Sequence, residues 1–165
     1  MNHVPPTGSV GGSGRSSLPY FWIAFGSALG GVARFGCTQW IARLYGRDFP
    51  WGTLTVNVVG SLIIGFFATL SGADGRLLVS PNVRRFVMVG FCGGYTTFSA
   101  FSLQTLELIE KRAFLEAGIN ILASTLLCLV FVWLGYFIAA ALNASGGRKG
   151  SSGPPASGRR GPAQR

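Results

Sequence analysis

Residues 90–102 read Gly-Phe-Cys-Gly-Gly-Tyr-Thr-Thr-Phe-Ser-Ala-Phe-Ser and lie inside a run, from Phe86 to Leu106, that carries no charge. This run is long enough to cross a lipid bilayer. Its centre contains two adjacent glycines followed by threonines and a serine, a composition that makes a poor uninterrupted helix. Irregular backbone is tolerated at membrane depth only where it is buried in protein or lines a polar cavity. The sequence therefore predicts a membrane helix that is broken near its middle and whose freed carbonyls and hydroxyls meet a ligand.

The glycines of this stretch also fit a second interpretation. Gly90 and Gly94 are four residues apart, the spacing of a small-residue face that lets two membrane helices approach closely. Gly26 and Gly30 have the same spacing in an earlier apolar segment. Both interpretations, a broken helix at a site and a close helix contact, stay open on the glycine pattern alone.

The composition indicates an all-α membrane protein. The chain has 165 residues, of which 48% are hydrophobic and 12% are charged, whereas soluble domains are about 25% charged. Four uncharged stretches are centred near Ala28, Ser61, Gly94 and Leu127, and only the first is interrupted, by Arg34. We predict four transmembrane helices, at about residues 19–44, 51–70, 86–106 and 117–141, with the third one broken.

The remaining residues form two tails. Residues 1–18 are rich in Gly, Pro and Ser and are predicted to be disordered. Residues 143–165 have a similar composition and are basic, so residues 19–142 make up the transmembrane domain. The net charge of +9 forms no stripe on one predicted element. This distribution argues against a nucleic-acid partner and favours anionic membrane lipid.

The charge distribution gives a weak signal for orientation. Four spans place both tails on the same side of the membrane, together with the loop between the second and third spans. That side carries nine Lys and Arg residues and the opposite side carries four, but the excess lies mostly in the far tails. The positive-inside rule therefore gives only a slight preference for tails in the cytoplasm.

The spans lack the residues that several function classes need. No Asp or Glu lies in the interior of a predicted span, and the only histidine is His3, in a tail. A proton-coupled exporter needs a membrane carboxylate, and enzymes of acid–base or zinc type need groups that are missing here. Cys37, Cys92 and Cys128 lie singly on different predicted helices without metal-ligand spacing, which favours apolar packing.

Neutral polar groups and aromatic rings remain available in the spans. Hydroxyl and amide groups can donate hydrogen bonds to an anion without holding it as tightly as a buried lysine. Phe98 and Phe101 are three residues apart and share a helix face, where ring edges with partial positive charge suit a narrow anion path. On spacing alone, ordinary core packing is the favoured interpretation of the two rings. The neutral polar residues are Asn57, Thr96, Thr97, Ser99, Ser102, Asn120 and Ser124.

Three motifs together resemble the Fluc/CrcB fluoride channel family. The resemblance covers about residues 21–141, and the third-span motif is the most specific of the three. The motifs are Gly30-Gly31-x-x-Arg34, Trp51-Gly52-Thr53-Leu54-x-Val56-Asn57-x-x-Gly60-Ser61, and Gly90-Phe91-x-Gly93-Gly94-x-Thr96-Thr97-Phe98-Ser99-x-Phe101-Ser102.

The resemblance implies a passive, fluoride-selective channel of the cell membrane that exports cytoplasmic fluoride and thereby reduces fluoride toxicity. It implies an antiparallel, dual-topology dimer with two pores, in which this chain pairs with an inverted copy of itself or with a paralogue. Two alternatives stay open from the residues: a small multidrug-type exporter, which would need a membrane carboxylate, and a membrane assembly subunit that transports nothing.

The resemblance also implies roles for individual residues. The fluoride pathway contains Asn57, Thr97, Phe98, Ser99, Phe101 and Ser124. The backbone carbonyls of Gly93 and Thr96 hold a structural Na⁺ that is not transported, and Arg34 has a structural role. Gln104 departs from the pattern, because many relatives have Glu there, and Tyr95 and Asn120 occupy positions that the family fills differently.

Overall fold

The structure is a computed structural model that describes residues 18–73 and 75–146. Every regular element within these residues is helical. The third helix has three consecutive pieces, an α-helical Pro81–Arg85, a π-helical Phe86–Cys92 and an α-helical Gly93–Tyr95, which we together call α3. The other helices are α1 (Leu18–Tyr45), α2 (Trp51–Leu70), α4 (Phe98–Glu110) and α5 (Phe114–Gly146).

Three helical segments are long and apolar enough to cross a membrane. They are α2, the combined α3 and α4 from Pro81 to Glu110, and Phe114–Ser145 of α5. Many large apolar side chains on these segments are exposed, including Leu115 and Trp133, as expected for a surface that faces lipid. Although α1 has 28 residues, it carries Arg34 and Arg43 and is not among the three. The all-α membrane fold is confirmed, and a crossing by α1 stays a prediction.

The helix limits agree with the predicted limits for α1 and α2 but not for α5. The predicted fourth span ends at residue 141, whereas α5 continues to Gly146. A side-chain clasp holds this extension: Arg76 N–H donates to Asn143 Oδ1 at 2.9 Å, and Asn143 Nδ2 donates to the Thr69 carbonyl at 3.2 Å. The predicted disordered tails are residues 1–18 and 143–165. Leu18 and residues 143–146 are helical instead, and residues 1–17 and 147–165 lie outside the described residues.

The third membrane segment is broken, but by its threonines and not by its glycines. Gly93 has a helical backbone, with φ −63° and ψ −35°. The helical ladder ends where Thr96 N–H donates to the Cys92 carbonyl at 3.0 Å, and Thr96 and Thr97 are then extended. Thr97 Oγ1 begins α4 by accepting from Ala100 N–H at 3.1 Å, an N-cap. The hydroxyl residues after the glycines therefore end one helix and start the next.

The glycines allow α1 and α3 to touch backbone to backbone. A Cβ on Gly30 would meet the Phe91 carbonyl oxygen and would lie 2.8 Å from Tyr95 N. A Cβ on Gly94 would lie 2.5 Å from the Ser27 carbonyl oxygen, and Gly26 faces Gly90 in the same way. The close-packing interpretation of the glycine pattern is thus confirmed. The helix is also broken, so the two interpretations do not exclude each other.

Replacing Gly30 with valine is expected to destabilise the protein, because the clash is with backbone that cannot rotate away. Overpacking of this kind typically costs about 1–3 kcal/mol, which we expect to appear as a lower midpoint of thermal unfolding in detergent. Gly31→Ala is the matched control, because a Cβ there meets no described heavy atom within 4 Å. Equal midpoints for the two variants would contradict this packing.

Candidate functional site

A cavity of about 450 Å³ lies beside the break between α3 and α4. Its wall is formed by α2, α3, α4 and α5, and no charged side chain of the described residues lines it. Seven of the predicted site residues are among those that line it: Asn57, Gly93, Thr96, Thr97, Phe98, Phe101 and Ser124. The structure therefore brings together most of the predicted fluoride pathway and both predicted metal ligands.

The Asn57 side chain forms two hydrogen bonds with the backbone of the broken segment. Asn57 Nδ2 donates to the Thr97 carbonyl at 3.1 Å, and Thr97 N–H donates to Asn57 Oδ1 at 2.7 Å. The Asn57 amide thus supplies the acceptor that Thr97 N–H loses by leaving the helix, and it adds a donor to the Thr97 carbonyl, which as the N-cap of α4 also accepts the first hydrogen bond of that helix. Because an asparagine amide has a second N–H, Asn57 keeps one donor beyond this pair.

The two phenylalanines form a pair at the start of α4. Their ring centroids are 5.3 Å apart, and the ring planes are inclined by 46°. Both rings line the cavity. The Phe98 side chain is 79% exposed in the single chain, an unusual exposure for a ring at the wall of a cavity. The rings are therefore placed at the open side of the cavity and not in the helix core.

A buried chain of polar groups connects Ser124 to α4. Ser124 Oγ donates to Asn120 Oδ1 at 3.4 Å, and Asn120 Nδ2 donates to Thr105 Oγ1 at 2.8 Å. Thr105 Oγ1 in turn donates to the Phe101 carbonyl at 2.8 Å. Asn120 and Ser124 were among the neutral polar residues singled out in the sequence, but Thr105 was missed. Its position four residues after Phe101, on the face toward α5, was the signal that could have identified it.

Ser99 and Arg34 lie apart from the other predicted residues, in a second cavity of about 520 Å³. Thr97 lines both cavities, and its Oγ1 lies 3.1 Å from Ser99 Oγ. Gln104 also lines the second cavity, and its Oε1 is buried without a hydrogen-bond partner in the part of the chain that the structure describes. The break thus contributes Thr97 to the walls of both cavities.

The carbonyl oxygens at the break are suitable ligands for a hard cation. The Gly93 carbonyl does not receive the usual helical hydrogen bond from Thr97 N–H, because that N–H donates to Asn57. Backbone oxygens are ligands that Na⁺-like cations accept, and they need no acidic side chain. Residues 18–73 and 75–146 contain no group of three or more His, Cys, Asp or Glu able to hold a metal. Any cation at the break would therefore depend on carbonyls such as those of Gly93 and Thr96.

Comparison with known proteins places the chain in a family. The family model described as CrcB-like protein, Camphor Resistance (CrcB), matches residues 21–136. The chain belongs to the CrcB family. This CrcB protein is a multi-pass membrane protein, and the matched residues include both cavities and the break.

Curated relatives of this CrcB protein carry the name "Fluoride-specific ion channel FluC". The Methylocella silvestris relative is 53% identical over 126 residues, which is 76% of this chain and 96% of the relative. The Opitutus terrae relative is 56% identical over 124 residues, 75% of this chain and 94% of the relative. The Rhodospirillum rubrum relative is 48% identical over 126 residues, 76% of this chain and 98% of the relative. These relatives are named as channels and not as enzymes.

Proposed function

We propose that this CrcB-family protein is a passive, fluoride-selective channel that lets cytoplasmic fluoride leave the cell down its gradient. One observation carries the proposal: Phe98, Phe101, Asn57 and Ser124 meet on the wall of a single cavity beside a broken membrane helix. The names of the curated relatives support the choice of fluoride as the anion.

The chemistry of the cavity wall favours a small anion. A conducting site has to replace part of the hydration shell of the ion and still let the ion leave. Neutral amide and hydroxyl donors meet both needs, because they bind an anion without a fixed opposite charge. The edges of the Phe98 and Phe101 rings add partial positive charge and repel cations. We assign Asn57, Thr97, Phe98, Ser99, Phe101 and Ser124 to the fluoride pathway, which runs past Thr97 between the two cavities.

Two chains in antiparallel orientation would complete the pathway. The 79% exposure of Phe98 in the single chain means that one subunit leaves the open side of the cavity uncovered. We propose that an inverted second copy, or a paralogue, covers it, and that the weak charge bias permits either orientation. Tags on both termini, tested for accessibility from each side of the membrane, distinguish a fixed from a dual orientation.

A structural Na⁺ at the Gly93 and Thr96 carbonyls would hold the break open. Replacing Na⁺ with a bulky organic cation is expected to slow fluoride efflux from liposomes by about tenfold or more, since even weakened support of a metal site by its outer-shell groups typically costs 10–100-fold. Adding Na⁺ back should restore the rate. An unchanged rate of fluoride efflux after this exchange would contradict the proposed cation site. We assign Arg34, in the second cavity, a structural role.

Fluoride efflux without any energy source separates a channel from the alternatives. Purified protein in liposomes loaded with fluoride is expected to release it when no pH gradient is present. A multidrug-type exporter would need a proton gradient, and neither cavity is lined by a described Asp or Glu that could carry the proton. An assembly subunit would release no fluoride under either condition.

A further inference from the structure

Two buried polar residues, Thr105 on α4 and Asn120 on α5, lie behind the wall of the cavity that Phe98 and Phe101 line. Neither is among the residues that line this cavity, and they are 8% and 1% exposed. Asn120 is connected to the cavity by its hydrogen bond with Ser124, which does line it. Through this serine, the buried pair can act on an ion in the cavity without touching it.

The number of protons in this chain of hydrogen bonds fixes its direction. The Thr105 hydroxyl has one proton, which it donates to the Phe101 carbonyl at 2.8 Å. Its oxygen then accepts from Asn120 Nδ2, also at 2.8 Å. The amide nitrogen therefore faces Thr105, and the amide oxygen faces Ser124. Because an amide oxygen can only accept, the Ser124 proton points toward Asn120 Oδ1.

The weakest hydrogen bond of the chain is the one beside the cavity. Ser124 Oγ lies 3.4 Å from Asn120 Oδ1, which is long for a bond between two oxygens, whereas Asn120 Nδ2 lies 2.8 Å from Thr105 Oγ1. Rotation of the Ser124 hydroxyl about its own C–O bond can turn its proton from Asn120 into the cavity. Hydrogen bonds to a charged acceptor are about twice as strong as those to a neutral one. An anion in the cavity can therefore take this donor from Asn120.

We propose that Thr105 is a positioning residue for fluoride passage. It holds the Asn120 amide in the orientation that gives the Ser124 proton an acceptor while no anion is present. Fluoride then has to compete with Asn120 for this proton, so Ser124 binds the ion less tightly and lets it leave, as a conducting site requires. The proposal rests on the proposed fluoride channel and adds to it a residue that does not touch the ion.

Thr105→Val tests the proposal, because it keeps the shape of the side chain and removes the hydroxyl. The Asn120 amide is then no longer fixed, and the Ser124 proton is free for fluoride. In liposomes, the fluoride concentration that gives half-maximal initial efflux is expected to fall by about threefold or more, the effect of one net hydrogen bond. The maximal rate should fall as well, because release becomes slower. A loss of folded protein would lower the maximal rate alone.

Three further variants complete this test. Thr105→Ser keeps the hydroxyl and should behave like wild type. Thr69→Val removes a hydroxyl that also donates to the carbonyl four residues earlier, but Thr69 lines neither cavity, so the half-saturating concentration should not change. Asn120→Leu should lower this concentration as Thr105→Val does, and the double variant should lower it no further, because the two residues act as one unit. An unchanged half-saturating concentration in Thr105→Val, or additive effects in the double variant, would overturn the proposal.

A second measurement separates the role of Thr105 from channel function. Protein with isotope-labelled asparagine is examined by NMR in detergent, and Asn120→Leu identifies the side-chain amide signals of Asn120. Added fluoride is expected to shift these signals in wild type, because Ser124 turns away from Asn120 Oδ1, and to leave them unshifted in Thr105→Val. This result in a protein that releases no fluoride would support the role of Thr105 and refute the proposed channel. Fluoride efflux without a shift of the Asn120 signals would overturn the role of Thr105 and leave the channel standing.

Discussion

Phe98→Ile and Phe101→Ile are each expected to reduce fluoride efflux from liposomes by about a hundredfold or more. The substitutions keep an apolar side chain of similar reach but remove the ring edge that stabilises the anion. A hundredfold slower rate corresponds to roughly 2.7 kcal/mol on the barrier to passage. The initial rate of fluoride release, measured with a fluoride electrode after the membrane potential is clamped, checks this expectation.

Two controls test whether the loss of efflux comes from the rings at the cavity. Both variants should elute from gel filtration at the same volume as wild type, because isoleucine keeps an apolar side chain at each position, inside the subunit and against a second one. Phe137→Ile removes an exposed ring of α5 that lines neither cavity, and its efflux should equal that of wild type. Unchanged efflux in both pathway variants would contradict the pore assignment.

Asn57→Leu is expected to stop efflux and also to weaken the fold around the break. It removes both hydrogen bonds to Thr97 and leaves the buried Thr97 N–H without a partner. An unsatisfied buried group of this kind costs about 1–3 kcal/mol. The extended conformation of Thr97 then loses its main support, and the cavity wall can no longer keep its shape.

The two effects of this substitution are measured separately. Unfolding in detergent reports the loss of stability, and fluoride release from liposomes reports the loss of conduction. Asn82→Leu serves as the control, because its amide contacts only Arg85 among the described side chains at the exposed end of α3. If Asn57→Leu behaved like Asn82→Leu in both assays, the amide would have no role in holding the break.

The sequence predicted the helices well because the membrane imposes a simple pattern on them. Uncharged runs of about 20 residues mark spans directly, and the limits of α2 agree with the prediction. The end of α5 was not predictable in this way, since it depends on the clasp between Asn143 and Arg76, which lie 67 residues apart. The sequence becomes rich in Gly and Ser from residue 143 onward, so it indicates a disordered tail and gives no sign of this contact.

The prediction for the broken segment was correct in kind and inaccurate in position. Glycines lower helix propensity in water, but Gly94 stays helical because α1 packs closely on it. Thr97 leaves the helix because Asn57, 40 residues earlier, offers its backbone other partners. The sequence identified both residues as polar groups of a site, but it could not show that the Asn57 side chain forms hydrogen bonds with the Thr97 backbone.

The candidate site shows the same division between local and long-range information. Phe98 and Phe101 were identifiable from the resemblance of the third-span motif to the channel family, and both line the cavity. Thr105 was not identified, because its importance comes from Asn120 on another helix.

The most direct test of the account compares fluoride and chloride in the same vesicles. Purified wild-type protein is reconstituted into liposomes loaded with equal concentrations of both anions, and the release of each is recorded after a potassium ionophore is added. We expect rapid release of fluoride with chloride retained, because the neutral donors and ring edges of the cavity suit only the smaller halide. Equal release of both anions, or release of neither, would contradict it.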